Sequence, residues 1–200
     1  MSHPEWALGF EDETWWSRLA QPALQAWTPA QQPLRVVEQT VPPTDPDPKA
    51  LACYGLLVQE RTSQGVRQEA VWLRFVAERP VSTVTLAFVT WGCAKVTAVG
   101  KTALLLVGDN ASWHRSQAVR PWLREPNRQG KREGQGLRIV RCPLPSKSPW
   151  LNPLEAQWVH GKRAVVEPTR LLTAAELVER VNTHFGCPYE VPLSIPQEVS

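Results

Sequence analysis

The segment that most restricts the fold is Ala103-Leu-Leu-Leu-Val107, an uninterrupted apolar run that ends at Gly108-Asp109. Without polar alternation, such a run fits a strand buried on both faces, and that strand needs a covering layer on each side of its sheet. The 19 prolines argue independently against a purely helical bundle, because each one limits helix length. A chain of 200 residues can bury roughly 70% of the surface it exposes when unfolded. A single domain over residues 1–200 is therefore expected, with no need of disulfides or a structural metal. No stretch approaches the roughly 18 consecutive apolar residues of a membrane span.

The rest of the chain fits around that strand. Residues 6–10 read as a short strand continuing into Glu11-Asp12-Glu13, and residues 34–38 as a weaker one. Residues 41–48 hold four prolines and can only be a loop. Residues 50–60 and 66–75, split by Thr-Ser-Gln-Gly, predict a hairpin. Residues 82–99 are rich in β-branched side chains. Leu86, Val89, Cys93 and Val96 nevertheless fall at helical spacing over a length too great for one strand, so a helix is expected. Residues 116–125 predict a helix, 124–136 a loop and 137–142 a strand. The last third is helical, with Thr173-Ala-Ala-Glu176 offering a capping box. This order implies an α/β fold, a mixed sheet flanked by helices.

Charge is distributed unevenly. Residues 1–50 carry −4 and residues 164–200 carry −3, whereas 109–163 hold eleven bases and four acids, +7. A basic surface around a few carboxylates suits a polyanion such as nucleic acid. A solvated, arginine-rich loop is the plainer alternative. The four cysteines (Cys53, Cys93, Cys142, Cys187) lie far apart with no CxxC, as expected of reduced thiols in a cytoplasm. Met-Ser-His-Pro-Glu-Trp has neither the basic start nor the apolar core of a secretion signal.

Gly100-Lys101-Thr102, followed by the apolar run and Asp109, mimics a nucleotide-binding phosphate loop. A true loop needs a glycine where Lys95 stands, and its strand precedes the Gly-Lys-Thr instead of following it. Three other acids are better candidates for chemistry. Asp109 closes the most apolar strand, where it either faces a cleft or caps a turn with Asn110. Glu155 falls three residues after Asn152-Pro153, a strong helix start. It is either one half of a capping box or a carboxylate held rigidly at a helix entrance. Strand parity puts Asp12 with Trp6, Leu8 and Phe10 on one face and Glu11 with Glu13 on the other, without saying which face borders the cleft.

Phe10-Glu-Asp-Glu-Thr-Trp-Trp16, Asp109-Asn-Ala-Ser-Trp-His114 and Ser148-Pro-Trp-Leu-Asn-Pro-Leu-Glu155 together resemble the three catalytic motifs of the DDE transposases of bacterial insertion sequences. The resemblance is to the branch related to mariner elements, and it runs over nearly the whole chain. It implies a ribonuclease-H-like fold and Asp12, Asp109 and Glu155 as catalytic residues and metal ligands. It further implies two Mg²⁺ (or Mn²⁺) ions, and DNA cleavage with strand transfer at transposon ends. Three carboxylates within about 5 Å repel by roughly 3 kcal/mol per pair at an effective dielectric near 20, so such a site favours a cation. On this reading Lys147, Lys162 and Arg163 contact phosphates, and the segment with Arg124, Arg128, Lys131 and Arg132 faces DNA. His114 lies near the site, and Trp113, Trp150 and Trp158 pack around it.

Members of that family carry N-terminal helix-turn-helix modules, and here about ten residues precede Asp12. A separate DNA-recognition module is therefore expected as a partner, beside double-stranded DNA and a second copy of the chain. Localisation is expected in the bacterial cytoplasm, at the nucleoid. A non-catalytic, DNA- or partner-binding remnant is the alternative function. A zinc protein built on His184-x-x-Cys187 is a distant third, since only one such pair exists.

Overall fold

The computed structural model describes residues 3–19, 39–62, 64–77, 79–108, 122, 124, 127–128, 132, 136–167 and 170–194. Strands β1 (Trp6–Ser17), β2 (Ala50–Arg61), β3 (Arg67–Phe75), β4 (Ala103–Gly108) and β5 (Arg138–Pro143) form one sheet in the order β3-β2-β1-β4-β5. The β1–β2 and β2–β3 pairs are antiparallel, and the β1–β4 and β4–β5 pairs are parallel. Helices α1 (Ser82–Ala98), α2 (Pro153–Ala164) and α3 (Ala174–Phe185) flank it.

Both faces of the sheet are covered, as the run in β4 requires. On one side Ala7, Tyr54, Leu56, Leu104 and Leu106 pack with Val84, Phe88 and Val96 of α1. On the other, Trp16, Cys53, Leu57 and Leu73 pack with Leu154 and Trp158 of α2 and Leu177 and Val181 of α3. The expected hairpin forms, and Gly65, at φ 79°, supplies its left-handed turn residue.

Helix α1 forms where expected but presents a different stripe. Val84, Thr85, Phe88, Val89, Gly92 and Val96 are buried, while Leu86 and Cys93 are half-buried. Small residues explain the rotation. A Cβ on Gly92 would stand 3.0 Å from Leu56 Cδ2. The Thr85 and Tyr54 hydroxyls are 2.7 Å apart. A pattern of large apolar residues does not reveal either contact.

The proline-rich loop is fastened by Arg18, buried just past β1. Its guanidinium donates to the Leu172 carbonyl (2.6 Å), the Asp45 carboxylate (2.7 Å) and the Asp47 carbonyl (2.9 Å). Arg18 holds the Asp45 carboxyl below the usual carboxylate range. Asp47 in turn accepts the Ala174 N–H (2.8 Å) in the first turn of α3. Lys101, in the sequence that mimics a phosphate loop, is buried. It donates to the Pro4 and Arg61 carbonyls (3.0 and 2.6 Å) and pairs with Glu60 (2.9 Å). Its ammonium is used by the fold.

One expectation is corrected. Asn127, Arg128 and Arg132 are helical where a loop over 124–136 is predicted, and Arg124 is helical as the helix expected at 116–125 has it. Arginine, lysine, glutamine and glutamate all favour helix, and that propensity overrides the loop-like glycines and charge. Asn127 also satisfies the edge of β5, since its side chain exchanges two hydrogen bonds of 2.8 Å with the Ile139 backbone. The strand expected at 34–38 and most of the helix expected at 116–125 lie outside the described residues. Among the described residues no helix is long and apolar enough to cross a membrane.

Candidate active site

The helices decide which face of β1 carries which acid. Phe10 and Trp16 pack against α2 and α3, whereas Ala7 packs against α1. By strand alternation Asp12 therefore faces α2, while Glu11 and Glu13 face α1. Glu11 is 1% exposed. Burial pushes the nearby Tyr54 phenol upward, and the Glu13 and Glu11 carboxylates add to the effect.

Asp12 is held by a residue 146 positions away. The Trp158 Nε1–H donates to Asp12 Oδ2 at 2.9 Å, from a ring that is 2% exposed. Gly55 makes this possible. It pairs with Asp12 across β1 and β2, and a Cβ there would lie 2.4 Å from Trp158 Cη2 and 2.6 Å from Cζ2. Trp16 and Phe185 meet the same indole edge-on, with centroids 5.9 and 5.4 Å away. Sequence reading does not identify the Gly55 contact, although a glycine inside a strand is itself a sign of close approach.

Glu155 lies in the first turn of α2, half-buried. Asn152 caps that helix through a hydrogen bond from the Leu154 N–H (3.1 Å), and Pro153 takes the first helical position as expected. No reciprocal bond from Glu155 closes a capping box, in contrast to Thr173 and Glu176 on α3, where the box forms in full. The Asn152 amide instead donates to the Glu11 carbonyl (3.1 Å). One buried side chain thus anchors the α2 entrance to β1, one residue before Asp12.

Asp109 lies outside the described residues, as do Lys131, Trp113 and His114. The last described residue before it, Gly108, ends β4 just beyond the Phe10–Val107 pair and accepts the Leu144 N–H at 2.9 Å. Asp12 and Glu155 are hard oxygen donors suited to Mg²⁺ or Mn²⁺. Among the described residues, no group of three His, Cys, Asp or Glu could hold a metal. That includes the His184–Cys187 pair. The Cys187 thiol donates to the Val71 carbonyl (3.0 Å), and burial pushes it up to about 11.

The candidate DNA-contacting cations Lys147, Lys162, Arg163, Arg124, Arg128 and Arg132 are all exposed. Lys162 and Arg163 stand in the last turn of α2, where the helix dipole favours positive charge in any case. Trp158 packs as expected. Trp150 does not, being 72% exposed on the 3-10 turn Pro149–Leu151.

A sequence profile described as DDE superfamily endonuclease matches residues 77–178, just over half of the chain. No curated protein sequence matches. Among solved structures, the chain is similar to the Mos1 transposase paired-end complex with left transposon end. That match has a TM-score of 0.61 at 14% identity and covers 91% of this chain and 48% of the other. The Mos1 mariner paired-end complex with Mn gives 0.54 at 15% identity, covering 90% of this chain and 48% of that one. The Mos1 strand transfer complex gives 0.53 at 14%, covering 93% and 48%. These likenesses are of fold, and the mixed sheet flanked by helices is ribonuclease-H-like. The chain spans about half the length of the chains it matches.

Proposed function

This chain belongs to the DDE superfamily endonucleases, and from that premise we propose that it is the catalytic domain, residues 1–200, of an insertion-sequence transposase of the mariner-related branch. The observation that carries the reading is the joining of β1 to α2. Asn152 and Trp158 hold the strand with Asp12 and the helix with Glu155 on one side of the sheet, next to the end of β4. Asp12, Asp109 and Glu155 would hold two Mg²⁺ or Mn²⁺ ions, which when bound activate an attacking hydroxyl and stabilise the leaving 3′ oxygen. Within the chain, the Trp158 N–H orients Asp12, and Asn152 sets the position of Glu155. Lys147, Lys162, Arg163 and the segment with Arg124, Arg128, Lys131 and Arg132 bind phosphates of double-stranded DNA. A second copy of the chain and a separate end-recognition module complete the assembly, which acts on DNA in the bacterial cytoplasm.

The test is a thermal melt with and without Mn²⁺, paired with a plasmid-nicking assay, on the wild type, Asp12→Ala, Asp109→Ala and Glu155→Ala. Metal at 100 times its dissociation constant adds about 2.7 kcal/mol, a rise of roughly 5–10 °C for a domain of this size. All three variants are expected to lose both the rise and the nicking. A wild type that neither shifts nor nicks would refute catalysis and leave the non-catalytic remnant.

A further inference from the structure

Trp150 and Leu151 are 72% and 48% exposed. They lie on the short 3-10 turn Pro149–Leu151 that leads into α2. The turn is rigid. Pro149 restricts its own φ, Leu151 N–H donates to Ser148 O (3.2 Å), and Asn152 N–H donates to Pro149 O (2.8 Å). Asn152 is buried and bound to the Glu11 carbonyl. A large flat ring is therefore held in solvent, two residues from the anchor beside Asp12. From Leu144 to Leu154 the chain carries Lys147 and no acid. Lys147 itself adopts φ 59°, a left-handed conformation uncommon for this residue type.

We infer that Trp150 is a stacking platform for an unpaired base of DNA, with Lys147 against a neighbouring phosphate. The inference rests on the DNA reading given above. A flat aromatic ring in water beside a cation fits a nucleobase face and its backbone. Bases inside a duplex are already stacked on both sides. The ring can therefore accept only a base at a strand end or an opened step, where strand-breaking chemistry occurs. A protein partner fits less well. Two apolar side chains beside a lysine are too few for an interface core, and such cores are depleted of charge. The segment that holds the turn carries +7, which suits DNA.

The experiment uses the full chain as wild type, Trp150→Ala and Trp150→Phe, without divalent metal. The probes are a blunt duplex and the same duplex bearing a single-stranded 3′ extension with 2-aminopurine at its first unpaired position. Trp150→Ala is expected to melt with the wild type, because the ring is mostly in solvent. It should bind the extended duplex roughly 5- to 100-fold more weakly. Its affinity for the blunt duplex should stay within about twofold, because every base there is paired and only the outer face of each terminal pair is free. The 2-aminopurine quenching seen with the wild type should disappear, and Trp150→Phe should restore most of both. Equal loss on the two duplexes, or none on either, overturns the inference while leaving DNA binding intact. A change of oligomeric state with unaltered DNA binding overturns it in favour of a protein interface. A wild type that binds neither duplex overturns the DNA reading together with it.

Discussion

Replacing Gly55 by alanine puts a methyl group where the Trp158 indole lies. The new Cβ would be 2.4 Å from Cη2, 2.6 Å from Cζ2 and 3.1 Å from Leu154 Cδ2. The ring cannot simply swing aside, because Trp16 and Phe185 pack against it edge-on and it is almost fully buried. Forcing an extra methyl into such packing costs about 1–3 kcal/mol. Displacing the ring also stretches the 2.9 Å bond to Asp12. Hydrogen bonds to charged groups contribute about 1.5–3 kcal/mol. Gly55→Ala should therefore destabilise by about 2–4 kcal/mol and lower Tm by roughly 5–15 °C. Trp158→Phe loses the N–H but leaves room, so in the Gly55→Ala/Trp158→Phe double variant the two losses should fall short of additive by about 1 kcal/mol or more. Urea unfolding of the four proteins measures this directly. A neutral Gly55→Ala, or strict additivity, would refute the idea that a bare backbone at Gly55 is what lets the indole reach Asp12.

Asn152→Ala removes a helix cap and the donor to the buried Glu11 carbonyl, and should cost about 1–3 kcal/mol in chemical denaturation. Asn152→Asp keeps the cap but loses the donor, so it should recover only part of that loss. The Arg170 and Thr173 contacts hold the Glu176 carboxyl well below its ordinary value, at about 2. A carboxyl depressed on folding stabilises above its unfolded pKa and loses that contribution as pH falls through the folded value. The Tm difference between wild type and Glu176→Gln should therefore be full at neutral pH and fade between about pH 4.5 and 2. A difference that persists unchanged at pH 2 would mean the ion pair is not its source.

Local pattern was enough for much of this molecule. The apolar run at 103–107, the hairpin, the α1 helix, the Asn152-Pro153 helix start and the Thr173–Glu176 box were all legible, because each depends on neighbours within a turn or two. The three strings that resemble DDE motifs could be picked out for the same reason, being short and contiguous. Alternation along β1 separated Asp12 from Glu11 and Glu13, but which of them faces α2 waited on which helices cover which side. That choice is made by contacts such as Trp158–Asp12 and Asn152–Glu11, between residues 146 and 141 positions apart. The burial of Trp158 and the exposure of Trp150, eight residues apart and of one chemical type, were likewise decided only by packing. A chain folds its own turns and caps from local preference. Which face a carboxylate presents is set by whatever the rest of the chain brings to lie against it.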